Sequence, residues 1–85
     1  MKLSGKIALI TGGSRGIGKE TARLFVEEGA TVIITSKNER KLKQTAKELG
    51  GLYFVKGDIK KEKDVQNVVK TVIKKFGNID ILVNN

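Results

Sequence analysis

Four glycines fall within the eight residues Thr11–Gly18 (TGGSRGIG), just after the apolar run KIALI. Glycine reaches positive φ without penalty and lets a backbone come close to a ligand, so such a loop can cradle a phosphate. Two phosphate chemistries compete for it. Gly13–Lys19 (GSRGIGK) approaches the triphosphate loop G-x-x-x-x-G-K-[ST], but Glu20 stands where a Ser or Thr should ligate Mg²⁺. The strand IDILV that should end in a metal-binding Asp carries Asp80 near its start and ends in Asn84-Asn85. Triphosphate is the weaker reading. Gly12, Gly16 and Gly18 form G-x-x-x-G-x-G. In a dinucleotide loop they serve a tight turn, close phosphate approach and tight helix–strand packing. The pyrophosphate would then rest on the N-terminus of the helix opening at Ile17, where free N–H groups attract it.

That loop works only if a strand delivers it and a helix follows it. Lys6–Thr11 reads as the first strand, and Ile17, Thr21, Leu24, Phe25 and Glu28 mark a helix stopped at Gly29. Thr31–Thr35 (TVIIT), β-branched throughout, reads as a strand buried on both faces. Ser36 and Glu39 fit a capping box that opens a second helix, with Leu42, Ala46 and Leu49 inward and Gly50-Gly51 as its stop. Leu52–Val55 is the third strand. Val65, Val68, Val69, Val72, Ile73 and Phe76 make an amphipathic third helix closed by Gly77, and Ile79–Val83 a fourth strand. Alternation of this kind gives an α/β fold, half of a doubly wound Rossmann fold: a parallel four-stranded sheet with three helices, predicted order 3-2-1-4. We expect residues 1–85 to form one half-domain.

Composition removes several functions. With no Cys and no His among 85 residues, disulfides, thiolate zinc sites and histidine bases are excluded. No apolar run approaches the ~18 residues of a membrane span. The N-terminus leads straight into the glycine loop and reads as a strand, not a signal peptide, so the expected location is cytoplasmic. The net charge of +8 invites nucleic acid. Yet the lysines scatter among Glu39, Glu48, Glu62 and Asp64, without aromatics interleaved as a stacking platform, and solvated helix faces explain them better.

Three stretches, Gly5–Glu20 (GKIALITGGSRGIGKE), Gly57-Asp58-Ile59 and Phe76–Asn85 (FGNIDILVNN), together resemble the short-chain dehydrogenases/reductases. The wording is most similar to their NADP(H)-dependent β-ketoacyl-acyl-carrier-protein reductases. The resemblance spans the whole chain, with Asn84-Asn85 similar to the start of the family's N-N-A-G motif. It implies that Gly12 through Gly18 hold the adenosine end and pyrophosphate of a nicotinamide dinucleotide, with Ser14 and Arg15 at the ribose. It also implies that Asp58 hydrogen-bonds the adenine amino group with Ile59 packed beside it, that the Asn85 backbone lies near the ribose, and that Asn84 ties neighbouring strands. Read from the residues alone, the alternative for Asp58 is a cap on the third helix, and for Asn84-Asn85 a plain turn.

Charge selects the cofactor. An NAD site places an acid at the end of strand two, about 20 residues past the loop. Thr35-Ser36-Lys37 stands there instead. Arg15 and Lys37 can flank a 2′-phosphate, with Ser36 between strand and helix and Glu39 turned away by the capping box. NADP(H) is therefore expected, with NAD(H) the poorer fit. The catalytic Ser, Tyr-x-x-x-Lys and helix Asn of the resembled family lie beyond the N-N-A-G motif, and no catalytic residue is assigned in this chain. Tyr53 is followed four residues later by Gly57, not Lys, and reads as core. The resemblance implies a carbonyl/alcohol oxidoreductase of which this chain is a truncated, inactive cofactor-binding part. The alternative is a stand-alone nucleotide-binding or assembly module. An exposed edge at strand four predicts a homodimer or larger homo-oligomer.

Overall fold

In the computed structural model, which describes residues 1–14 and 16–85, four parallel strands alternate with three helices. They are β1 (Ile7–Thr11), α1 (Gly16–Glu27), β2 (Thr31–Ser36), α2 (Glu39–Glu48), β3 (Tyr53–Lys56), α3 (Glu62–Phe76) and β4 (Ile81–Val83). The sheet order is β3-β2-β1-β4, as the alternation predicts, with every pair parallel. Ile7 stands opposite Thr31, Ile33 opposite Tyr53 and Leu9 opposite Leu82.

The side-chain period of two splits the core between the two sheet faces. Ile10, Val32 and Ile34 meet Ala22, Leu42 and Ala46 of α1 and α2 on one face. Leu9 and Ile33 meet Val68 and Val72 of α3 on the other. Val32 through Thr35 are all buried, as expected for a strand covered on both sides.

Four local expectations are corrected. The inward face of α1 runs through Gly18, Ala22, Phe25 and Val26, while Ile17 and Leu24 point to solvent. The small residues let α1 lie close on the sheet, which bulkier Ile17 and Leu24 would prevent. The helix α2 is capped by Asn38, whose Oδ1 accepts from Lys41 N at 3.1 Å. Ser36 ends β2 and receives Asn38 N at 3.3 Å, so no Ser36–Glu39 box forms and Glu39 is an exposed first-turn residue. On α3, only Val68 and Val72 are buried; Val65 and Ile73 remain partly exposed, at 38% and 45%. The fourth strand begins at Ile81, not Ile79, because Asp80 turns onto β1. Its Oδ2 accepts from Ile7 N at 2.8 Å while its own N–H donates to Ile7 O at 2.8 Å.

Candidate functional site

In a parallel sheet with right-handed crossovers, every strand points the same way and every helix N-terminus opens at the strands' C-terminal ends. That end holds a cleft of about 280 Å³ lined in part by Gly12, Ser14, Ser36, Lys37, Asp58 and Ile59, with Asn85 completing its wall. Seven positions singled out by sequence thus converge from four separate loops. Gly16, Ile17 and Gly18 lie outside this lining, and Arg15 falls outside the described residues.

Each glycine of the loop has its own constraint. Gly12 turns the chain at φ +65° and donates its N–H to Thr35 O at 2.9 Å, which binds the loop to the end of β2. Gly18 is buried, and a Cβ there would overlap the carbonyl of Gly12, so it sets the distance between α1 and the loop. Gly16 adopts φ +59° with open space around its would-be Cβ. Its need for glycine is conformational. Sequence reasoning included Gly13 and Gly57 in its motifs but missed their packing constraint: a Cβ on Gly13 would meet Ile34 Cγ2 at 2.7 Å, and one on Gly57 would meet Val68 Cγ2 at 2.7 Å.

At the floor, Thr11 gathers the end of β4. Its hydroxyl donates to Asn84 Oδ1 at 2.9 Å and accepts from Asn85 N at 3.1 Å, while Asn85 Nδ2 donates to Thr11 O at 3.0 Å. Both asparagines therefore tie strands together, and Asn85 also lines the cleft. Asp58 does not cap α3, whose N-cap is Lys61. Its Oδ1 accepts from Lys60 N at 2.9 Å, and its own N–H donates to Asp64 Oδ2 at 2.8 Å, which presents the loop to the cleft. Thr35 Oγ1 is buried with no hydrogen-bond partner among the described residues. It borders both this cleft and a second, more apolar one of about 280 Å³ lined by Val65, Val69, Ile59 and Leu82.

Tyr53 sits at the opposite end of the sheet. Its ring meets Phe76 edge-on with centroids 5.3 Å apart, and Lys75 Nζ lies 5.1 Å above it, so its surroundings are those of a packing residue.

Residues 6–85 match the family model described as short chain dehydrogenase. The chain belongs to the short-chain dehydrogenase family. This dehydrogenase-family chain is 42% identical over 84 residues to L-fucose dehydrogenase of Mus musculus, covering 99% of itself and 31% of that protein. It is 45% identical over 89 residues to an uncharacterized oxidoreductase of Thermotoga maritima, covering 100% of itself and 35% of the relative. A solved short chain dehydrogenase from Mycobacterium smegmatis matches with a TM-score of 0.93 at 36% identity, over 99% of this chain and 37% of that one. The chain thus spans about a third of the length of these family members. Nicotinamide dinucleotides are the cofactors of this family. No helix of the described residues is long and apolar enough to cross a membrane.

Proposed function

We propose that residues 1–85 are the NADP(H)-binding half-domain of a carbonyl/alcohol oxidoreductase of the 3-oxoacyl reductase kind, acting at the cofactor's adenosine side. The observation that carries this reading is the glycine loop itself. A Cβ on Gly18 would overlap the Gly12 carbonyl, so α1 can start this close to the loop only with glycine there, while a Cβ on Gly16 would meet nothing within 4 Å among the described residues. An anion placed there gains from unpaired helix N–H groups and the helix dipole. The residues fit the dinucleotide: small Ser14 at the loop, Asp58 as acceptor for an amino group and Ile59 as an apolar neighbour for a base. The orphan Thr35 hydroxyl adds a donor and acceptor at the floor.

Preference for NADP(H) over NAD(H) is supported by Ser36-Lys37 lining the cleft at the end of β2, where no acid stands. The support is independent of the capping box, since Glu39 is not among the cleft-lining residues. The bound cofactor supplies hydride chemistry; the residues of this chain bind and orient its adenosine end. The 3-oxoacyl assignment rests on the wording of Gly5–Glu20 and Phe76–Asn85, since the relatives' names point to other substrates.

A second reading, assembly through β4, is favoured by one feature: Leu82 is 62% exposed at the sheet edge and shares an apolar cleft with Val65 and Val69. A homodimer joined there covers the apolar edge and remains compatible with cofactor binding.

Calorimetric titration of the chain with NADP⁺ and NAD⁺ tests the cofactor reading. Tighter NADP⁺ binding, lost in Gly16→Val because valine resists φ +59°, is the expected result. Unchanged NADP⁺ affinity in that variant would sink it.

A further inference from the structure

The three helices carry one threonine each, and the three hydroxyls are used differently. Thr21 Oγ1 donates to Ile17 O at 2.8 Å and Thr71 Oγ1 to Asn67 O at 2.7 Å, each four residues back in its own helix. That is the ordinary outlet for a helical threonine hydroxyl. Thr45, in the middle of α2, is 3% exposed and does not bond back. Its hydroxyl donates instead to Ser14 O at 2.8 Å, 31 residues away in the glycine loop.

The rest of that loop is held from other elements. The Gly12 and Gly13 N–H groups both donate to Thr35 O, at 2.9 and 3.4 Å, which ties the start of the loop to β2. The far end runs into α1 at Gly16, where φ is +59°. Ser14 lies between these anchors and lines the cleft, and the Thr45 hydroxyl is its one hydrogen-bond partner among the described residues. A second link joins α1 to α2, from Lys19 Nζ to Glu48 Oε1 at 2.7 Å. Both of its side chains are half-exposed and screened by solvent, so it fixes little. The Thr45 bond is part-buried, where losing the donor leaves a carbonyl short of a partner.

We infer that Thr45 is a positioning residue: it holds the Ser14 carbonyl from the α2 side, so that the glycine loop is already shaped when a dinucleotide arrives. The role rests on the proposed cofactor reading and adds to it a side chain outside the cleft that keeps one wall in place. Thr45 is not among the cleft-lining residues, so it acts on the ligand only through Ser14. A preformed loop spares the complex the ordering that binding would otherwise cost. Where the loop is free to wander, affinity falls by the fraction of molecules that keep the competent shape.

The test measures NADP⁺ affinity by calorimetry for the unchanged protein, Thr45→Val and Thr45→Ser. Valine keeps the branched shape and a similar helix propensity but has no donor, whereas serine keeps the donor. Circular dichroism checks that each variant is folded. Thr45→Ala, which removes the hydroxyl without placing a methyl against Ser14, repeats the valine comparison. Thr45→Val should bind NADP⁺ about fivefold more weakly, the fold-change of one ordinary hydrogen bond, and Thr45→Ser should return to within about twofold of the parent. A threonine that served stability alone would lower the urea midpoint when replaced by valine and leave the affinity of the folded protein unmoved. Parental NADP⁺ affinity in both Thr45→Val and Thr45→Ala, or a Thr45→Ser variant as weak as Thr45→Val, would overturn the inference while leaving the cofactor reading intact. Failure of the unchanged protein to bind NADP⁺ would overturn the cofactor reading, and the inference with it.

Discussion

The two faces of the sheet are built to different degrees of completion. On the α1/α2 face, Ile10, Ile34, Ala22 and Leu42 are fully buried, and Phe25, Val26, Leu49 and Leu52 close the margins. On the α3 face, one helix covers Leu9 and Ile33 through Val68 and Val72, then leaves Val65, Ile73 and Leu82 open to solvent. A sheet with two helices on one side and one on the other cannot bury both faces equally. The difference separates what holds this fold from what it still has to offer a partner or ligand.

The largest expected effect lies where the covered face meets the loop. Gly18→Ala sets a methyl against the Gly12 carbonyl, and backbone must move to relieve it. We expect a loss of about 3 kcal/mol or more, read as a lower urea midpoint, because overpacking against backbone has no side-chain remedy. A variant as stable as the parent would mean that α1 can slide on β1.

The second comparison sets one side chain from each face against the other. Leu42→Ala, fully buried under α2, should cost about 2–5 kcal/mol. Ile73→Ala, on the open stripe of α3 and 45% exposed, should cost less than about 1 kcal/mol. Equal losses in chemical denaturation would show that the open face is covered in solution.

Leu82→Lys sharpens that point. Added to an edge strand, the charge should leave monomer stability nearly unchanged and split the proposed homodimer, halving the mass seen by sedimentation equilibrium. A parent chain that sediments as a well-folded monomer would remove the assembly reading.

The smallest effect belongs to the solvent side of α1. Arg23 bonds Glu20 and Glu27, and its hydrogen bond holds the Glu20 carboxyl below the usual carboxylate range. A depressed folded pKa stabilises above the unfolded value and is lost as pH falls through the folded one. Arg23→Gln should therefore leave the melting temperature at neutral pH almost unmoved and slightly flatten its fall below the ordinary Glu range. Both side chains are about half exposed, and solvent screens the pair.

Much of this was legible in sequence because period and punctuation are local. β-branched runs, helical spacing and glycine stops sufficed for seven elements in order, and alternation sufficed for the 3-2-1-4 sheet. The glycine spacing was legible too, since φ +65° at Gly12 and φ +59° at Gly16 are backbone demands that few other residues meet. What spacing could not decide was which of two adjacent apolar stripes turns inward. On α1 the hydrophobic count favoured Ile17 and Leu24, but closeness of approach favoured Gly18 and Ala22, and approach is a property of two surfaces. The same holds for caps: Ser36 and Asn38 both satisfy capping chemistry, and only the register of β2, which keeps Ser36 opposite Lys56, hands the cap to Asn38. Sequence alone thus determined the elements, their order and a glycine-rich loop between β1 and α1, because each follows from neighbours along the chain. The tertiary structure alone decided that Lys41 and Lys60 stand around one cleft and that Thr11 binds both asparagines. It also decided that Leu82 faces water, because these relations join residues up to 74 positions apart through sheet pairing.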